Sequence, residues 1–386
     1  MLRCNILTIF LGFSLLAGAQ DWKVVRVNPQ KAFPKTVAAG NYSGIAHLHD
    51  DIYAVVSDKS DSALYFNFRI QVNPKTGELE QVENLGFIER TDGTLNDAKP
   101  WQGQEKGFDH EAIVKVSDST LVIASEGYCR LKEYPILPTS ADATKVDYQQ
   151  NLWESRWSSS DFYPNYNFES LAFDSIRQYL WTIPESTFCK DGQPATPQNG
   201  LTNQLRLIRY NWGKMKENHN KEDNGKEDSS EQVSSKKDSR YMMTYAYQMD
   251  QPSTHKKADI YVMGVSELCT LPDGQLLVLE REAFIPNIKI GAFCKCKLYL
   301  VNPLNSENFS MKENISSDTP FLKKKLLTEW KTSLSLSKRS FANYEGMCLG
   351  PKLEDGSQVV ILLSDSQDQY AGVLKDWFKT IVIRKE

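Results

Sequence analysis

Asn343-Tyr344-Glu345-Gly346-Met347, followed by the run Val359-Val360-Ile361-Leu362-Leu363 and its stop at Ser364-Asp365, is the stretch that decides the fold. The run is β-rich and too short for a helix, so it reads as one strand of a hairpin whose partner opens at the glutamate phrase. The pattern returns along the chain. Tyr42-Ser43-Gly44-Ile45 leads to Ser57-Asp58, and His110-Glu111-Ala112-Ile113 to Ser125-Glu126. Phe168-Glu169-Ser170-Leu171 leads to Pro184-Glu185, and Val265-Ser266-Glu267-Leu268 to Leu279-Glu280. Recurrence of this kind means one supersecondary unit used repeatedly.

The phrases start at Ser43, Glu111, Glu169, Ser266 and Glu345, in steps of 68, 58, 97 and 79 residues, room for a four-stranded sheet each time. Small antiparallel sheets repeated radially make a β-propeller, whose strand edges are short and protected. No unit could bury its own faces alone, so the ring is one cooperative domain. The expected fold is therefore all-β, a propeller of six four-stranded blades, with five or seven as the alternatives, because the 97-residue step has room for a diverged blade. A strand from Trp22 to Val27 is expected to complete the last sheet beside Thr380 to Ile383.

Residues 1–20 carry Arg3, an apolar run from Ile6 to Leu16 and Ala17-Gly18-Ala19, the pattern of a cleaved secretory signal. That run is too short to span a membrane and no later stretch is long enough, so a secreted or periplasmic monomer of residues 21–386 is expected, with no membrane span. A net charge of −4 gives no reason to expect nucleic acid as a partner. Residues 212–240 are polar and mixed in charge, and read as a mobile, removable insertion between two strands of one blade. Cys269 and Cys348 occupy a slot for a small buried residue and suit free thiols. Cys129, Cys189, Cys294 and Cys296 are expected to form disulfides in an oxidising compartment, with a metal site among them as the weaker reading.

Propeller geometry turns repetition into chemistry, because equivalent strand ends from successive blades converge on one channel mouth. Glu111, Glu169 and Glu345 share one position in the phrase, and Asp58, Glu126, Glu185, Glu280 and Asp365 share another. Carboxylates held in a ring repel one another, which raises some pKa values or demands a cation. Hard oxygen donors suit Ca²⁺, so these eight acids are the candidate metal ligands. Each acid could instead cap a turn or pair with a neighbouring base. Lys59, Arg130, Lys190 and Arg281 follow closely on acids and are candidates to hold an anionic substrate, or equally a run of rim salt bridges. His110 is a candidate general base, although a lone His at a strand start also serves as a hydrogen-bonded structural residue. Trp153, Trp157, Tyr163 and Tyr166 could wall a ligand cleft or pack between blades. No Gly-x-Ser-x-Gly elbow, phosphate-binding loop or dinucleotide fingerprint occurs.

In their order and spacing these phrases resemble the secreted "esterase-like activity of phytase" family, a β-propeller group. The stretches that carry the likeness run from Asn41-Tyr-Ser-Gly-Ile and Phe108-Asp-His-Glu-Ala-Ile through Asn167-Phe-Glu-Ser-Leu and Gly264-Val-Ser-Glu-Leu to Asn343-Tyr-Glu-Gly-Met with Leu363-Ser-Asp. The resemblance implies the fold more strongly than the activity, since propellers host many functions. Ser43 and Ser266 stand where the other phrases have Glu, so the carboxylate ring is incomplete. The expected function is a hydrolase of phosphoric esters assisted by Ca²⁺, with Glu111, Glu169, Glu345, Arg281 and His110 as catalytic candidates. Arg130, Lys59 and Lys190 would hold a small-molecule or anionic ester. The alternatives are a non-catalytic propeller binding a protein or glycan, and a lactone hydrolase.

Overall fold

The computed structural model describes residues 21–60, 62–90, 92–97, 108–136, 152–222, 239–335, 339–367 and 374–386. The expected leader at 1–20 lies outside them, as do residues 223–238 of the expected insertion. Among the described residues no helix is long and apolar enough to cross a membrane.

The strands form five antiparallel sheets. Blade I comprises Tyr42–His49, Ile52–Ser57, Ala63–Val72 and Leu79–Glu89, with the short Leu95–Asn96 outside them. Blade II has His110–Lys115, Thr120–Ser125, Arg130–Pro135 and Glu154–Arg156, and blade III has Phe168–Asp174, Tyr179–Pro184, Gln204–Asn211 and Met242–Gln248. Blade IV is Ile260–Thr270, Leu276–Ile285, Phe293–Val301 and Lys324–Ser333. Blade V is Asn343–Lys352, Gln358–Asp365, Trp377–Lys385 and, from the other end of the chain, Trp22–Val27. The first strand of each blade from I to V touches the first strand of the next, and that of blade V touches that of blade I, which closes the ring.

The ring thus has five blades and not the six expected. Among the described residues the 97-residue step holds no extra sheet. Its surplus length is an insertion in blade III, where Gln204–Asn211 connects to Met242–Gln248 through a helix at Trp212–Glu222. The N-terminal strand adds no blade either and, as expected, completes the last one: Val24 pairs with Ile383 and Val27 with Ile381.

Each interface between neighbouring blades has its own apolar core, and the run in blade V shows how one strand serves two of them. Successive side chains point to opposite faces. Val359, Ile361 and Leu363 pack with Ile45, Val55 and Phe68 of blade I, while Val360 and Leu362 pack with Leu277, Leu279 and Leu298 of blade IV. Burial on both faces makes these strands continuous apolar runs with no alternation. Cys269 and Cys348 are buried free thiols as expected, but so are Cys294 and Cys296, whose Sγ atoms are 3.8 Å apart without a bond. Cys129 and Cys189 are also free, so no expected disulfide forms.

The helix corrects the reading of residues 212–240 as wholly mobile. Trp212 and Met215 lie three residues apart on one helix face and are buried in the core between blades II and III. Lys216 reaches Glu133 of blade II at 2.7 Å. Met215→Ala is therefore expected to cost about 2–5 kcal/mol in urea denaturation, and exchanging 214–238 for a Gly/Ser loop should destabilise the protein similarly. An unchanged midpoint for both would show that the helix contributes nothing.

Candidate metal centre at the channel mouth

One local device builds the site in all five blades. Where the first strand pairs with the second, its register slips at the phrase: between Tyr42 and Ile45, His110 and Ala112, Phe168 and Ser170, Val265 and Glu267, and Tyr344 and Gly346. Each slip is a β-bulge, which leaves a residue unpaired, bends the strand and re-aims a side chain. The bulged residues are Glu111, Glu169, Ser266 and Glu345, with Ser43 and Gly44 in blade I. The ring is narrow enough that two phrases need glycine. A Cβ on Gly346 would stand 2.4 Å from the Ser43 carbonyl oxygen, and one on Gly44 2.7 Å from Ala112 Cα.

A second ring comes from the ends of the second strands. Asp58, Glu126 and Glu185 donate backbone N–H to the residues just before the phrases, Asn41, Asp109 and Asn167, and Asp365 pairs with Asn343. In blade IV the residue before the phrase, Gly264, faces Arg281, while Glu280 faces Val265. Glu280 is thus one residue out of the ring, on the opposite face, bonded to Tyr247 Oη at 2.7 Å and Lys324 Nζ at 2.6 Å. Its expected role as a channel ligand is corrected: Arg281 takes that place.

Arg281 is the counter-ion of the mouth. It is 4% exposed. Its Nη2 donates to Glu169 Oε2 at 3.0 Å and to Glu185 Oε1, and its Nη1 to Glu345 Oε1 and to Asn343 Oδ1 at 3.1 Å. Burial would weaken the guanidinium, but the three carboxylates outweigh it and hold its pKa well above the ordinary value. Desolvation first, then neighbouring carboxylates, push Glu111, Glu169 and Asp58 well up, and Glu126 and Asp365 up to about 7.

On the other side of the mouth Asp58, Asp109 and Glu111 bring one carboxylate oxygen each to within 4.8 Å of one another. Ser43 Oγ donates to Glu111 Oε2 at 2.5 Å. Asp58 Oδ1 is buried with no hydrogen-bond partner, although Lys59 Nζ lies 3.4 Å from Oδ2. Three clustered carboxylates with an orphaned oxygen fit a hard cation, which takes about six to eight oxygens in the case of Ca²⁺. Asp109 escaped the sequence reading. Its slot, shared with Asn41, Asn167 and Asn343 immediately before each phrase, was the available signal.

Asp58, Glu111, Glu169, Glu185, Arg281 and Glu345 line one cavity of about 470 Å³. Glu126 and Asp365 stand behind this lining, within electrostatic reach of Arg281. Other candidates lie elsewhere. His110 is buried, with Nδ1 2.8 Å from Ser125 Oγ, and burial with Arg90 and Arg130 pushes its imidazole well below the ordinary range. His110 bonds within its own sheet and does not line the cavity. Arg130 pairs with Glu154 at 3.4 Å and lies over Tyr128, and Lys190 donates to the Met311 carbonyl; neither lines the cavity. Trp153 and Trp157 pack edge-on to Tyr210 and Phe168, so they belong to the interface between blades II and III and not to a cleft wall.

Glu267, the residue after Ser266 in the fourth phrase, does not line the cavity. Fully buried, its Oε1 accepts from Leu268 N at 2.9 Å and from Leu171 N, one blade away, at 3.0 Å, which ties the inner strands of blades III and IV together.

No curated protein matches the chain significantly. Among solved structures it is similar to a chain of "Crystal Structure of Mitotic Checkpoint Complex", with TM-score 0.32, 11% identity and 99% of each chain covered. It is also similar to "Structure of Dos1 propeller", with TM-score 0.26, 10% identity, and 88% of this chain and 67% of the other covered. The family described as Phytase-like, esterase-like activity of phytase, matches residues 37–367, from before the first inner strand to just past Asp365, and the chain belongs to that family.

Proposed function

We propose that the protein is an exported hydrolase of phosphoric esters that works with a divalent cation, best Ca²⁺, held by Asp58, Asp109 and Glu111. The observation that carries this reading is the triad, with ligand oxygens within 4.8 Å and Asp58 Oδ1 left without a partner. Like charges at that spacing are mutually repulsive unless protonated or bound to a cation. Such a cation would supply polarisation of the phosphoryl oxygen and a more acidic bound water.

The chain's own groups do the rest. Arg281 faces the cavity and offsets charge that develops on the phosphoryl oxygens, an effect enlarged where water is sparse. Glu169 lines the same cavity, bonded to Arg281 and within electrostatic reach of Glu111, and is placed to take the proton from water. The water oxygen bonds to phosphorus, the phosphorus–alkoxy bond breaks, and the alkoxide takes the proton held on Glu169 to leave as the alcohol, which returns Glu169 to its carboxylate.

Asp58→Asn, Asp109→Asn and Glu111→Gln each keep shape while removing charge. Each is expected to weaken Ca²⁺ binding, read by titration calorimetry, and turnover of phosphate monoesters by at least about tenfold. Melting in EDTA should be unchanged or higher, since a repelling charge is gone. Parent-like calcium binding in all three variants, with no ester hydrolysed by the parent, would leave a non-catalytic propeller.

A further inference from the structure

The same cavity has a second, chemically opposite half. Ile260, Val262, Ala283, Ile285, Leu334 and Phe341 line it as well as the acids do. The placement follows from strand length and period. The first two strands of blade IV run 11 and 10 residues, against 6 and 6 in blade II and 7 and 6 in blade III. The surplus lies at the mouth, where Ile260 pairs with Ile285 and Val262 with Ala283 beyond the Gly264–Arg281 pair. Alternate residues share a face, so the face that presents Arg281 also presents Ala283, Ile285, Val262 and Ile260. Ile260 is 48% exposed, and Ile288 and Ile290, in the loop that follows this hairpin, are 76% and 49% exposed.

Charge points the same way. The lining contains Asp58, Glu111, Glu169, Glu185 and Glu345 against two bases, Arg281 and Lys289. Arg281 already donates to three carboxylates, and Lys289 lies 3.3 Å from Asp259. A polyphosphorylated polyol would set many negative charges against this acid excess and its hydroxyls against an apolar wall. From this juxtaposition, and resting on the ester-hydrolase reading above, we infer that the substrate is a singly phosphorylated ester whose alcohol part is an apolar alkyl or aryl arm. The phosphoryl group sits between the triad and Arg281, and the arm lies along Val262, Ala283 and Ile285 towards Ile260.

The test is a length series on the unaltered protein in calcium: methyl, butyl and hexyl phosphate, phenyl phosphate, and inositol hexakisphosphate. Each CH₂ moved from water onto the wall is expected to raise kcat/KM about two- to fourfold, with inositol hexakisphosphate the poorest substrate. Val262→Thr and Ile285→Thr should flatten that dependence. Binding of hexylphosphonate against methylphosphonate, by calorimetry, is read separately. Equal turnover of methyl and hexyl phosphate, or preference for inositol hexakisphosphate, overturns the apolar arm while the hydrolase reading stands. If nothing is hydrolysed, the hydrolase reading fails, and tighter binding of hexylphosphonate, reduced in Ile285→Thr, still supports the arm, whereas equal binding of the two phosphonates overturns it.

Discussion

Replacing Arg281 with methionine is expected to cost about 3–5 kcal/mol of stability at pH 8, because it leaves a buried charge cluster without its counter-ion. The methionine fills much of the same volume, so the loss reports charge more than a void. Glu169, Glu185 and Glu345 all bond to this one guanidinium, and they would then face one another across a cavity already rich in acid. Two further results identify the cause. The deficit should shrink at pH 5, where buried carboxyls take up protons, and it should shrink in the triple variant that adds Glu169→Gln and Glu345→Gln. Urea denaturation at the two pH values measures both. A loss below about 1 kcal/mol at pH 8, within the range of surface ion pairs, would mean that the mouth is open enough for water to screen its charges.

The second large effect is a fall in stability with rising pH that calcium reverses. Glu126 and Asp365 have folded-state pKa values pushed up to about 7, from ordinary values of 4.5 and 3.8. A carboxyl raised on folding binds its proton more tightly in the native state than in the unfolded one. Its favourable contribution is therefore complete below the unfolded value near 4, and is lost as pH climbs towards and past about 7. Glu111, Glu169 and Asp58 are pushed the same way. In EDTA the melting temperature is expected to drop by about 5 °C or more between pH 5 and pH 8. A cation competes with these protons, so calcium should raise the melting temperature far more at pH 8 than at pH 5, and its binding near pH 6.5 should release protons to buffer. A flat or rising curve in EDTA over that range would contradict the charge state assigned to the mouth.

What the sequence made legible follows from which constraints are local. The bulge carries a Glu or Ser after a larger residue in every blade, followed by Gly, Ala or Ser in four of the five, and that left a legible phrase. The apolar stops at Ser57-Asp58, Ser125-Glu126, Pro184-Glu185 and Ser364-Asp365 marked the second ring correctly. Blade IV failed for a physical reason. Its second strand does not stop at the mouth but continues through Glu280-Arg281-Glu282 to Ile285, so counting from the end of the apolar run chose Glu280, and a slip of one residue turns a side chain to the opposite face. The apolar wall was hidden in the same extension. Blade number was misjudged because length in a loop is thermodynamically cheap, so the spacing between phrases does not count sheets. Asp109 was passed over because it sits before the phrase, and only the folded ring brings it to Asp58.

The seam in blade V has a consequence for how the molecule is made. Trp22–Val27 is among the first parts of the ring to be synthesised, and its hydrogen-bonding partner Trp377–Lys385 is the last. At about 5–20 residues per second, the first strand waits roughly 20–70 s for its mate. During that interval blades I to IV can assemble from contiguous chain, whereas blade V cannot be completed until Trp377–Lys385 has been made. The vulnerable species in biogenesis is therefore an open arc with two unsatisfied ends, Trp22–Val27 at one and blade V at the other. Chaperone dependence, aggregation and sensitivity to truncation should concentrate at that seam and not at the acidic mouth.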